Sequence, residues 1–172
     1  MARVAALLTS LFFLFISPVL AGSLEISNPQ IRATAPGMKA TGGYLTITNH
    51  GDMDDRLVSA AADFAGRVEL HEMIMDGDVM KMRKREGGIE VPAGGMAMLQ
   101  PGGLHIMLMG LTETMVPGEM RDITLTFQSG HTVTLPAMVM KPGDIGGKGH
   151  GHNHSQNHSH GKKHKHGTAN HN

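Results

Sequence analysis

Between residues 68 and 111 the chain alternates with a period of two, and that alternation most restricts what it can fold into. In Pro101-Gly-Gly-Leu-His-Ile-Met-Leu-Met, the side chains of Leu104, Ile106 and Leu108 fall on one strand face and those of His105, Met107 and Met109 on the other. His71, Met73 and Met75 share a face of an earlier run, and Met80 and Met82 share a face of the run between. A helix would scatter these positions around its circumference. The segments therefore read as strands, each presenting imidazole or thioether groups in front of ordinary apolar residues.

Short runs of this kind fill the body of the chain from about 24 to 141. Residues 24–33 contain Pro29, which confines that strand to a sheet edge or a bulge. Residues 44–48 alternate and end at the turn cluster Asn49-His50-Gly51-Asp52. Residues 56–63, 67–75 and 79–83 follow, with Asp76-Gly77 as a tight hairpin turn before the last of these. Residues 89–91, 96–99, the His105 run, 122–127 and 132–138 complete the set, the final two joined across Ser129-Gly130. Evenly spaced strands with Gly and Pro punctuation and no helical period predict an all-β fold, a β-sandwich or Greek-key barrel.

The ends have a different character. Residues 1–21 carry Arg3, an apolar run over 5–16 and the small-residue site Val19-Leu20-Ala21, a secretory signal cleaved near Ala21. The apolar run is too short to span a bilayer, which takes roughly 20 residues, and no later segment is long enough. Residues 22–142 form the expected single domain. Residues 143–172 hold His150, His152, His154, His158, His160, His164, His166 and His171 among Gly, Asn, Ser and Lys. Such a segment has too little apolar surface to offset the entropy of ordering, so a disordered, metal-binding tail is expected.

Charge and cysteine usage narrow the function. Residues 22–142 carry 14 acids against 10 Lys and Arg, and the tail is weakly basic. With aromatic residues at only 3% of the chain, nothing here suits a nucleic-acid partner. The chain has no cysteine, which removes disulfides, thiolate metal ligands and the blue-copper type of centre together.

Methionine is the informative excess, with 15 in the chain and none in the tail. Met53, Met96, Met98, Met115, Met120, Met138 and Met140 are assigned to packing or loops. The His71/Met73 and His105/Met107 pairs, with Met80 and Met82 between them, instead point to a soft-metal site. Thioethers are soft neutral donors that favour copper(I), and two imidazoles with two thioethers add no charge of their own. The thioether-free histidine tail suits copper(II), nickel(II) or zinc(II). Met73 and Met109 are expected to shield the metal, and Met80 to compete with Met82 if the hairpin slips by two residues. His50 and His131 are expected to be surface histidines. Glu69 or Glu72 would orient His71.

The stretches Val68-Glu-Leu-His-Glu-Met, Met80-Lys-Met-Arg, residues 89–95 and Pro101-Gly-Gly-Leu-His-Ile-Met-Leu-Met-Gly-Leu closely resemble the PCuAC family of periplasmic copper chaperones. The likeness spans roughly residues 24–140. It implies a cupredoxin-like Greek-key barrel and one copper(I) held at an exposed site by His71, Met82, His105 and Met107. It further implies periplasmic delivery of copper to the dinuclear centre of cytochrome c oxidase, with Sco-type proteins or oxidase subunit II as partners. The tail departs from family extensions in lacking methionine. The chief alternative functions are periplasmic copper scavenging or storage, and a nickel or zinc buffer centred on the tail. No paired acid and base or nucleophile arrangement suggests an enzyme.

Overall fold

The computed structural model describes residues 24–146. The expected signal at 1–21 and all eight tail histidines lie outside the described residues. Ten strands occur in chain order: β1 (Leu24–Arg32), β2 (Ala40–Asn49), β3 (Asp55–Ala61), β4 (Ala65–Asp76), β5 (Val79–Lys84), β6 (Ile89–Val91), β7 (Met96–Leu99), β8 (His105–Leu111), β9 (Met120–Phe127) and β10 (Thr132–Met140). They form one mixed sheet in the order β5-β4-β8-β2-β1-β10-β9-β3-β6, with β7 paired to β2. All pairings are antiparallel except β1 with β10. The all-β, cupredoxin-like architecture is the one expected.

Strand β2 organises the interior. Its residues 43–49 pair with β1, while its other edge is shared, residues 40–43 with β8 and 45–48 with β7. The inward residues of the curled sheet bury completely, among them Ile31, Ile47, Leu57, Ile106, Leu108, Leu125 and Val139. Removing such side chains from water contributes about 1.5–3 kcal/mol each, which drives the closure. Every member of this core lies between Ile31 and Val139, so the described residues carry a complete core of their own.

Three local expectations are refined. Strand β1 is central, and Pro29 is accommodated by a bulge: the register shifts between Ser27 and Gln30, and Asn28 takes a φ of 51°. The β4–β5 hairpin turns at Gly77-Asp78 instead of Asp76-Gly77, because Asp76 still pairs with Val79; glycine meets the positive φ of 62° that this turn imposes. The methionines assigned to packing or loops divide. Met115 is fully buried, but Met96, Met98, Met120 and Met138 lie on strands with their side chains exposed. Period-two alternation carries them outward. The chain also continues past residue 142 through a turn, where the Gly146 N–H donates to Gln30 Oε1 at 3.1 Å.

Ile106 is fully buried between His105 and Met107. Ile106→Ala is expected to cost about 2–5 kcal/mol through the cavity it leaves, measured by chemical denaturation with an unchanged m-value.

Candidate metal centre

Strand register brings the candidate donors onto one outer patch. His71 of β4 stands directly opposite His105 of β8, and Glu69 opposite Met107. On the other side of β4, Met73 faces Met82 of β5, Met75 faces Met80, and His71 faces Lys84. Opposed residues of an antiparallel pair share a face, and diagonal neighbours lie about 7–8 Å apart. His71 is thus the hub, with His105 across from it and Met107 and Met82 on its two diagonals. Met80 sits one row farther out, so the observed register favours Met82 without any slip.

The inner face of the same strands explains why this patch is firm. Leu70, Ile106 and Leu108 are buried, which fixes the pleat and forces their neighbours His71, His105 and Met107 outward. Exposure then grades across the patch. His105 is 5% exposed, Met107 and Met73 are partly buried, and Met82 on the edge strand is 50% exposed.

Each imidazole has one nitrogen engaged and one left over. The His71 Nε2–H donates to Glu69 Oε2 at 2.8 Å, and the His105 Nδ1–H donates to the Gly103 carbonyl at 3.0 Å. Each of these partners is an acceptor, so in the neutral rings it is the remaining nitrogens that carry the lone pairs. Those two, His71 Nδ1 and His105 Nε2, are buried and have no hydrogen-bond partner. The rings lie edge to face, 5.7 Å between centroids and 63° between planes. Leaving two buried acceptors unmatched side by side is costly for a fold. A ligand that accepts lone pairs would satisfy both, and the donor set fits a soft cation. Among the described residues no three His, Cys, Asp or Glu side chains group around a metal-sized space, so a hard, carboxylate-rich site is not what this patch offers.

The supporting contacts sort the earlier candidates. Glu69 orients His71, while Glu72 turns to the opposite face and pairs with Arg85 at 2.9 Å. Glu69 also draws Arg67 to 3.6 Å and Lys84 to 3.8 Å. Its bond to His71, followed by those cations, holds its carboxyl below the usual range. The Gly103 carbonyl, invisible as a functional group in the sequence, accepts both the His105 ring and the Met73 N–H. Tyr44 and Arg32 were also not legible as neighbours of the site: the pairing of β2 with β8 brings Tyr44 there, and that of β1 with β2 brings Arg32. His50 is exposed and bonded to Glu25, and His131 is exposed at the start of β10, as expected of surface histidines.

Burial pushes the His105 pKa below its ordinary value, against the Gly103 carbonyl, which favours the protonated ring; the charges of His71 and Arg32 lower it further. The unfolded chain therefore binds more protons than the folded one as pH falls below 6.5, the ordinary histidine value, and stability must drop with it. Metal-free protein is expected to lose thermal stability on going from pH 7 toward 5, and His105→Asn to flatten that dependence, as read by calorimetry.

Solved structures share this fold. The apo PCuAC domain from PmoF1 superposes with a TM-score of 0.60 and 26% identity, over 70% of this chain and 96% of that one. The copper-bound PCuAC domain from PmoF2 gives 0.59 and 25%, over 70% and 95%. The CuI form of DR1885 from Deinococcus radiodurans gives 0.55 and 32%, over 69% and 77%. Fold and donor patch together define a β domain of the PCuAC type. The family described as "Putative lipoprotein LpqE-like" matches residues 24–139, and the chain belongs to it. A relative from Leifsonia xyli subsp. xyli (strain CTCB07), "Putative lipoprotein Lxx21020", is 33% identical over 112 residues, 65% of this chain. The match spans 66% of that relative, just under two thirds of its length.

Proposed function

We propose that this protein is an exported copper chaperone that binds copper(I) through His71, Met82, His105 and Met107. The observation that carries the reading is the pair of buried, unpartnered lone-pair nitrogens, His71 Nδ1 and His105 Nε2, flanked by thioethers on both diagonals of His71. Copper in two of the similar solved domains supports the choice of metal. Delivery to the dinuclear centre of cytochrome c oxidase, through Sco-type proteins or subunit II, is part of the proposal, as is copper(II) binding by the histidines at 150–171.

Copper here is cargo, and the residues divide the task of carrying it. Glu69 and the Gly103 carbonyl fix the tautomers, so both lone pairs are presented before metal arrives. The neutral thioethers add softness without charge. Met82, half exposed, is where an incoming donor from a partner would replace a ligand first. The lipoprotein description of the relatives supports an exported location. This chain has no cysteine, so a lipid joined through a cysteine sulfur has no residue to carry it.

The test is anaerobic copper(I) titration of residues 22–146, read by X-ray absorption. One copper per chain with mixed nitrogen and sulfur scattering is expected, and His105→Ala/Met107→Ala should abolish it. Failure of the wild-type domain to bind copper would leave the tail as the metal-binding part and sink the reading. Glu69→Gln is expected to weaken copper(I) affinity about 10–100-fold by loosening the tautomer of His71. A chelator competition measures that effect. Met82→Leu should weaken binding more than Met80→Leu in the same assay.

A further inference from the structure

Arg32, on β1, is neither a proposed ligand nor a hydrogen-bond partner of one, yet it stands beside the patch. Strand register puts Ile31 opposite Gly43 and Gly42 opposite Met107. One residue on, Arg32 faces Gly42, and by the same step Tyr44 faces His105. Two inter-strand spacings, about 10 Å, therefore separate the Arg32 backbone from that of Met107. The arginine side chain does not extend freely into water. Its guanidinium carbon lies 5.8 Å from the centroid of the Tyr44 ring, and its Nε is buried without a partner. Tyr44, 8% exposed although it points away from the core, lies across Gly42, where an added Cβ would come within 2.5 Å of the phenol oxygen. Glycine at 42 is what allows the ring to lie flat between Arg32 and the donors.

No carboxylate among the described residues pairs with Arg32. A half-buried guanidinium that rests on a tyrosine and has no counter-charge is a costly arrangement. By contrast, the negative charge of Glu69 on the far side of the patch is answered by Arg67 and Lys84. The uncompensated charge is thus positive.

We propose that Arg32, seated on Tyr44, sets the oxidation-state preference of the site by disfavouring copper(II) relative to copper(I). The inference rests on the copper reading above. Repulsion from a fixed cation is twice as large for a doubly charged ion as for a singly charged one. With that backbone separation of about 10 Å taken as the scale and an effective dielectric constant near 20, the extra unit of charge corresponds to roughly tenfold in relative affinity. The four proposed ligands set which element binds; Arg32 biases which of its ions stays.

The experiment compares wild type, Arg32→Met and Arg32→Lys in the 22–146 domain, whose core is complete and which leaves out the competing tail histidines. Copper(I) and copper(II) affinities are measured by separate chelator competitions, and the midpoint potential by voltammetry. Arg32→Met should raise copper(II) affinity about tenfold relative to copper(I), a fall of about 59 mV for one electron. Arg32→Lys should hold most of the wild-type ratio. An unchanged ratio in Arg32→Met overturns the proposal. So does an equal loss of both ions, which marks a packing role, or a lysine variant that behaves like methionine. A wild-type domain that binds neither ion overturns the copper reading itself.

Discussion

The register of β8 is the constraint on which everything else depends. Its inward residues Ile106 and Leu108 are fully buried, and its outward residues His105 and Met107 form the donor patch. A slip of one residue would exchange the two sets, driving an imidazole and a thioether into the core and isoleucine and leucine into water. Both edges of β8 are held, by β4 on one side and β2 on the other. The energy that closes the core is therefore the same energy that aims the site. Stability and donor geometry share one set of side chains.

Rigidity near the site comes from turns as much as from strands. The Pro101-Gly102-Gly103 turn ends in a carbonyl that holds the His105 ring and the Met73 backbone together. Glu69 does the equivalent for His71 from within β4. In neither case does the orienting group belong to the proposed ligand set. The arrangement is preformed: the two rings already lie 5.7 Å apart with one nitrogen of each buried and unpartnered before any ion is considered.

Much of this was legible in the chain because two-residue periodicity survives translation into structure almost unchanged. All ten strands fell where alternation and turn residues located them, to within a few residues at their ends, and His71, Met73, Met82, His105 and Met107 did share a face. What the sequence could not convey were relations across long separations. Pro29 marks β1 as an edge or a bulged strand without deciding between them; the bulge is what occurs, and it lets β1 sit centrally and pair with both β2 and β10. That placement brings Arg32 beside Tyr44, which the pairing of β2 with β8 has already set across from His105. Backbone carbonyls such as that of Gly103 have no signature in composition at all. The choice of Glu69 over Glu72 follows from strand parity: Glu69 shares its face with His71, and Glu72 does not.

The position of β5 gives the patch an asymmetry in time as well as in space. β4 and β8 are flanked on both sides, whereas β5 ends the sheet and is exposed at all six of its residues. Edge hairpins open more readily than the body of a sheet. On the proposed ligand set, one thioether therefore sits on a hinged flap and the other three donors on a fixed wall. Lifting the flap would leave a three-donor cradle with one vacancy, without disturbing the core. Tight holding and quick release would then be adjusted separately, the first by the wall and the second by the hairpin.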